Sequence, residues 1–406
     1  MNPTVRAWWA ASQGLDGSSA GATAREVLVR TGWMRTVGGA GPYLGLFARA
    51  GLSRAAIDAE VAANEICELP AARGCTYLVP RDDYAVALAA GQGHGDAAAL
   101  HTAKKFCGVT DAEVDRLCDA IVAALRDGPL EPRGLKEAVG GAVRHLGDVG
   151  KKKGVTTTLS LGLGRLQTTG EIRRIPVGGR LDQQRYAYAA WTPSPLSGRL
   201  LGEEELGAEL ATRFFRWIGP ATVDQFAWWS GATKTAARAA VAAIGAVPLP
   251  DDPDQRVLPG DLDRLGAFQR PEVPRVAFVS SLDNLAHLRR EVTPLVDPQH
   301  VDERVAGGGF GPGAGVGGVR PVSTVLDLPH HAIVDRGTLI GLWDYDPAQA
   351  RIVHRVFAGS PPVDDALACT TAFVRDQLGD ARSFGLDSPE SRGPRLAALS
   401  ARAESR

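Results

Sequence analysis

Gly128-Pro129-Leu130-Glu131-Pro132-Arg133-Gly134-Leu135 is the stretch on which the fold turns, because its pattern returns 91 residues later as Gly219-Pro220-Ala221-Thr222-Val223-Asp224-Gln225-Phe226. Each copy has a Gly-Pro pair, which stops one helix, six residues ahead of the apolar anchor of the next. Upstream of the first copy, Thr110-Asp111-Ala112-Glu113 reads as a capping box. It opens a helix with Val114, Leu117, Cys118, Ile121 and Leu125 on one face. Downstream come a short helix (Leu135 to Val139), an apolar helix from Thr158 to Thr168, and two alternating strands. The strands run from Glu171 to Pro176 and from Arg185 to Trp191, joined through Gly178-Gly179. Around the second copy lie a helix from Glu203 to Trp217 and two more capped by Thr222 and Thr233. Helix, helix, helix, hairpin is the order of a winged helix, and its return predicts tandem copies.

The regions on either side complete the expected plan. Residues 1–95 read as a first winged-helix-like domain. Its helices are Arg6 to Gln13, Thr23 to Thr31, Tyr43 to Ala50 and one capped by Ser53 reaching Glu65, and its strand Cys75 to Val79 ends at Pro80. The second and third copies span 108–195 and 200–260. After a Pro/Asp-rich join (Pro248 to Asp254), residues 261–388 form a β-rich domain with strands at 275–279, 322–326, 331–335, 339–343 and 351–357. Asp335-Arg336-Gly337 is its hairpin turn. Eight of the twelve residues from Gly307 to Gly318 are glycine, a flexible loop without the Gly-Lys-Ser/Thr ending of a phosphate cradle. Residues 389–406 are expected to fray. The fold class is mainly α with β (α+β): three tandem winged-helix motifs and a C-terminal β-rich domain.

Composition removes several functional classes. The chain has 406 residues, 44% of them hydrophobic and 22% charged, which excludes wholesale disorder and exceeds one core. No apolar run is long enough to cross a membrane, and the N-terminus lacks an apolar signal core, so a cytoplasmic protein is expected. Cys67, Cys75, Cys107, Cys118 and Cys369 include no C-x-x-C pair and are expected as free, mostly buried thiols. Histidine spacing gives no metal site: His330 and His331 are adjacent, and His94 and His101 fall in a predicted glycine-rich loop. Neither metal nor cofactor is expected.

Charge is the best functional signal. Lys and Arg number 45 against 46 Asp and Glu, yet residues 151–190 hold eight basic and two acidic side chains. Lys151, Lys152 and Lys153 precede Thr156, Thr157 and Thr158 where a helix is predicted to begin. Lysines, hydroxyls and helix N-terminal amides together suit a phosphate. Arg165 lies on that helix. Arg173, Arg174, Arg180, Gln183, Gln184 and Arg185 lie on the predicted wing, where long cationic side chains gain by counterion release. These thirteen residues are the expected DNA contacts. Candidate general acids or bases are the carboxylates beside the first strands, Glu65, Glu68, Asp82 and Asp83, with Asp283 further on.

With these residues in place, the chain resembles the winged-helix family of the YcaQ and AlkZ crosslink-repair DNA glycosylases. Gly219-Pro-Ala-Thr-Val-Asp-Gln-Phe-Ala-Trp-Trp-Ser-Gly231 looks like the family's third winged-helix segment. Arg73-Gly-Cys-Thr-Tyr-Leu-Val-Pro80 is similar to its Arg-Gly-Thr hairpin, and Asp283, Leu295-Val-Asp-Pro298 and Ile333 to Trp343 resemble its C-terminal domain. The resemblance implies a concave DNA-binding surface. It also marks departures. Arg35 and Val37, within Gly32-Trp-Met-Arg-Thr-Val37, stand where the family carries its Gln-x-Gln or Gln-x-Asp pair, and Tyr77 stands where the hairpin usually has His. The next glutamine upstream, Gln13, is too distant to supply the motif. An N-alkylated purine is cationic and its loss leaves an oxocarbenium-like sugar, so a guanidinium at Arg35 repels both, the more so in a desolvated site. The leading expectation is therefore a monomeric DNA-binding protein of this family without the family's catalytic motif. The alternatives are an active glycosylase on bulky alkylated purines using Glu68 or Asp83, and a small-molecule-responsive regulator or interaction scaffold.

Overall fold

The structure, a computed structural model, describes residues 1–197, 201–307 and 317–400. It is an α+β protein in which one local arrangement occurs three times: a helix, one or two residues of extended chain, two helices, and a two-stranded antiparallel hairpin. The first comprises Ala24–Thr31, Met34–Arg35, Gly41–Ala50, Arg54–Ala62, and the hairpin Ile66–Pro70 with Thr76–Pro80. The second comprises Asp111–Ala124, Leu130, Pro132–Val139, Leu159–Thr168, and Ile172–Pro176 with Tyr186–Ala190, with a further short helix at Gly147–Lys152. The third comprises Glu203–Ile218, Ala221, Val223–Ser230, Lys234–Ala243, and Val247–Pro248 with Arg256–Val257.

The repeated Gly-Pro pair has a structural meaning beyond stopping a helix. The residue after each proline is extended and pairs with the second strand of its own hairpin. Leu130 exchanges backbone hydrogen bonds with Tyr188 (2.9 and 2.8 Å), and Ala221 with Arg256 (3.0 and 2.8 Å). Met34 and Arg35 make the same pairing with Leu78 and Tyr77. Caps fix the helix starts: Thr23 with Glu26 and Thr222 with Gln225 are reciprocal capping boxes. Thr110 accepts from the Glu113 amide as expected, but the Glu113 carboxylate turns to Arg144 instead of closing a box.

Burial ties these units together. The first hairpin sheet is apolar on both faces. Trp33, Cys67, Leu69, Tyr77 and Val79 pack into a core shared with the third unit, where Trp33 meets Trp217 and Trp229 at ring separations of 5.5 and 5.6 Å. Met34, Ile66 and Leu78 pack into a second core with Phe278, Ile333 and Trp343. Those three belong to a four-stranded antiparallel sheet of Val276–Val279, His331–Asp335, Thr338–Asp346 and Arg351–Val356. Its strands alternate, with Ala277, Val279, Ala332 and Val334 facing a third core that includes Trp8 and Trp9. The second unit has a core of its own, from Val114 and Leu117 to Leu166 and Ile172.

Several expectations are corrected. Val322 to Leu326 is not a strand: the strand Gly317–Pro321 ends at a proline that has no amide to donate, and a single turn follows at Val322–Thr324. His101 lies on the helix Gly95–Cys107, not in a loop. The expected frayed tail is helical from Pro389 to Ser400, because Arg392 is buried there and bonded to Asp380 and the Tyr345 carbonyl. Only Cys67 and Cys118 are buried, and Cys369 is exposed. Of the expected glycine-rich loop, residues 308–316 lie outside the described residues, as do 401–406 of the tail.

Candidate nucleic-acid interface

Of the two positions expected at the family motif, Arg35 ends the two-residue strand Met34–Arg35 that follows the helix Ala24–Thr31, and Val37 lies two residues beyond it. Gly32, at φ 100°, turns the chain out of Ala24–Thr31, a conformation that a side chain would strain. Arg35 then lies against the central strand: Nη1 donates to the Thr76 carbonyl at 3.2 Å, and Cζ sits 5.5 Å from the Tyr77 ring centroid. Tyr77 is 3% exposed, and burial pushes its phenol up to about 12. Gln13 gives its amide to the carbonyls of Thr31 and Trp217 and accepts from Arg49, so it is fully committed inside.

Glu68 is the outlier among the carboxylates. Its strand pairs it with Leu78, and it is 4% exposed with neither oxygen in a hydrogen bond. Its polar neighbours are Arg174, Tyr186 and Thr36, the residue between the two motif positions; neither hydroxyl reaches hydrogen-bond geometry. Burial pushes the Glu68 carboxyl above the usual carboxylate range, with Arg174 opposing. The structure thus places Glu68 beside Thr36, between Arg35 and Val37 in sequence. Asp83 it does not: one oxygen accepts from Trp33 Nε1 and the other from Arg213 Nε, both at 2.8 Å. Asp82 and Glu65 are paired with Arg25, and Glu65 also with Arg81. Asp283 holds the buried Arg49 through two bonds of 2.7 and 2.9 Å.

The thirteen expected DNA contacts separate. Lys151 and Lys152 occupy the last turn of the short helix Gly147–Lys152 and Lys153 follows it, all three exposed and without a carboxylate partner among the described residues. They complement that helix's C-terminal dipole and do not flank the N-terminus of the next helix. Thr156 is exposed and Thr157 half-buried, but Thr158 is fully buried, its hydroxyl accepting from the Arg144 amide. Arg165 is tied to Asp111 and Asp115.

The hairpin is docked onto its neighbours. Arg174 Nη2 donates to Thr76 Oγ1 at 3.1 Å, and Arg173 is half-buried. Arg180 is held by Asp182 and the Leu378 carbonyl. Gln184 leans on two glycines, where a Cβ on Gly38 would stand 2.2 Å from its Cγ. Gln183 and Arg185 stay exposed, Arg185 with Glu131 at 3.7 Å.

Sequence reasoning missed the helix that extends the lysine cluster. Gly95–Cys107 packs beside Gly147–Lys152 and carries Lys104, Lys105 and Phe106. Lys104 is paired with Asp111. Phe106, 44% exposed, has Lys153 Nζ at 4.3 Å and Lys105 Nζ at 5.4 Å from its ring centroid, which joins the two helices. The glycines from 91 to 95 hid the helix; the Ala97-Ala-Ala-Leu100 run was the available signal.

Among the described residues, no group of three or more His, Cys, Asp or Glu could hold a metal ion, and no helix is long and apolar enough to cross a membrane. The family model described as "DNA glycosylase AlkZ-like" matches residues 31–379. Among solved structures, Streptomyces sahachiroi DNA glycosylase AlkZ shares the fold at a TM-score of 0.63 and 17% identity, covering 94% of this chain and 98% of that one. No match was found among curated protein sequences.

Proposed function

Since the chain belongs to the AlkZ-like DNA glycosylase family, we propose that it binds duplex DNA, alkylated duplex included, through the lysine-bearing helices Gly147–Lys152 and Gly95–Cys107. The observation that carries this reading is Lys151, Lys152 and Lys153, exposed and unpaired with carboxylates, continued by Lys105 around Phe106. Unneutralised ammonium groups on adjoining helices displace counterions from a phosphate backbone, while Arg165 and Arg180 have spent their charge on aspartates. Thr156, Gln183 and Arg185 are exposed and complete the proposed contacts. Arg35 and Val37 offer neither the acceptor nor the positioned water that release of an alkylated base requires, so we assign binding without the motif's chemistry.

One experiment tests both halves. Purified protein is mixed with labelled duplexes, undamaged or carrying a bulky N7-alkylguanine, and scored for retarded mobility and for alkali-labile abasic sites. Retardation without base release is expected, and no retardation at low salt overturns the proposal.

A second reading has an observation of its own in Glu68, buried without a partner beside Thr36. An alkylated purine leaves as a neutral base, so the step needs a carboxylate that faces the cationic sugar and accepts the proton of the attacking water, a role Glu68 can fill in its ionised form. If abasic sites form, Glu68→Gln abolishes them under this reading; persistence of base release in that variant excludes Glu68. Asp83 is held out of this role, since both its oxygens accept hydrogen bonds from Trp33 and Arg213.

A further inference from the structure

We propose that Arg73 and Arg290, laid against Trp228, form a clamp for one phosphodiester of the DNA, beyond the far end of the lysine-bearing helices. The inference rests on the DNA-binding reading above and adds residues that reading does not use.

Three parts of the chain converge here. Arg73 sits in the turn Ala72–Gly74 between the first two hairpin strands, Trp228 on the helix Val223–Ser230, and Arg290 just past Asn284–His287. The two guanidinium carbons lie 4.5 and 4.9 Å from the Trp228 ring centroid. Both arginines adopt positive φ, 58° and 51°, a region that residues with side chains avoid. Two strained backbones therefore aim two like charges at one indole, which is an unfavourable arrangement for packing alone.

Compensation within the protein is thin. Asp327 is the carboxylate that neighbours all three basic side chains here, 3.9 Å from Arg290 Nε, 3.4 Å from His287 Nδ1 and within electrostatic reach of Arg73, and neither close contact reaches hydrogen-bond geometry. Arg290 Nε and His287 Nδ1 make no hydrogen bond, and the Arg73 guanidinium is met by the Trp228 ring. A guanidinium fork held against an aromatic ring, with donors outside any hydrogen bond, suits an oxyanion.

Position favours a phosphate on DNA over a free one. The Ala72–Gly74 turn touches the helix Gly95–Cys107, which also packs against Leu159–Thr168 and Gly147–Lys152. His94, at the head of that helix, borders the same spot: its Cε1 would be 3.5 Å from a Cβ on Gly231. Lysines, helix and clamp are thus successive neighbours along one route.

The test uses the full chain and a fluorescent duplex, with Kd measured by anisotropy at several salt concentrations. Arg73→Ala with Arg290→Ala should weaken binding roughly tenfold and lower the slope of log K against log salt by about 1, the value of one lost phosphate contact. Arg73→Lys with Arg290→Lys should keep most of the slope, and Arg351→Ala, an exposed arginine of the C-terminal sheet, should leave it unchanged. If the alanine pair does not fold by thermal melting, Arg73→Gln with Arg290→Gln takes its place. A double variant indistinguishable from Arg351→Ala overturns the clamp, while loss of binding in the Lys151, Lys152 and Lys153 triple-alanine variant still upholds the DNA reading. Should the wild type bind no duplex, the DNA reading fails first. Tryptophan fluorescence titrated with inorganic phosphate then decides: quenching lost in the double variant means a free-anion site, and no quenching means no site, both against the clamp.

Discussion

Glu68 shows how one side chain can oppose the stability of its own fold. Its carboxyl is pushed up by burial, so the folded state holds the proton more tightly than the unfolded chain does. The associated stability is fully present below the unfolded value, near 4.3, and is lost as pH rises through the folded value. Glu68→Gln should therefore raise the melting temperature at pH 7 to 8 and change it least near pH 4. The gain is about 1.4 kcal/mol for each unit by which the folded value exceeds the unfolded one, read by urea denaturation across pH. Equal destabilisation at all pH values would contradict this. The sequence already isolated Arg35, Val37 and Tyr77 as departures and Glu68 as a candidate. It could not separate Glu68 from Asp83, because the partners that occupy Asp83, Trp33 and Arg213, lie 50 and 130 positions away.

Elements were legible where a local signal sets them and illegible where a neighbour does. Caps at Ser53, Thr110, Thr222 and Thr233 placed helices correctly, and the Gly-Pro repeat located the shared architecture of the second and third units. Docking of the second hairpin onto Thr76, Leu378 and Gly38 has no local signature, so its arginines read as a free wing when most are engaged. Lys151→Ala with Lys152→Ala and Lys153→Ala should lower the salt slope of duplex binding by about 2 to 3, at about 0.9 per phosphate contact, and leave melting nearly unchanged. Arg165→Ala should do the reverse, leaving affinity intact and costing at most about 1 kcal/mol, since its aspartates are largely exposed. Anisotropy titrations and denaturation curves on the same preparations separate the two.

Across the whole molecule, long-range ion pairs and shared cores join segments far apart in sequence. Arg49 and Asp283 are both nearly sealed from water and bind each other through two hydrogen bonds, with Gln13 as a third member. Arg49→Met should cost about 3 kcal/mol or more in urea unfolding, because Asp283 is left as an uncompensated buried charge. A loss below 1 kcal/mol would show that Asp283 escapes to solvent or takes up a proton at little cost. Acid should act in the same direction through His331, which accepts from the Ser281 amide, contacts the Ala381 carbonyl and has its pKa lowered by burial. That contribution is complete above about 6.5 and is lost as pH falls below it.

The core shared by residues 24–78 and 276–381 has a consequence for how the protein is made. A ribosome adding roughly 5 to 20 residues per second needs about 15 to 60 seconds to carry the chain the 300 or so residues from 78 to 381. Throughout that interval Leu28, Tyr43, Leu44 and Leu78 have half of their final surroundings missing, and the growing polypeptide presents them to any chaperone at the exit tunnel. The second unit's own core, from Val114 to Ile172, has no such dependence, whereas Leu181 in its hairpin does. Translation halted near residue 240 should leave a fragment that resists protease across 114–172 and is cut within 24–78, and only chains extended past residue 381 should be protected in both.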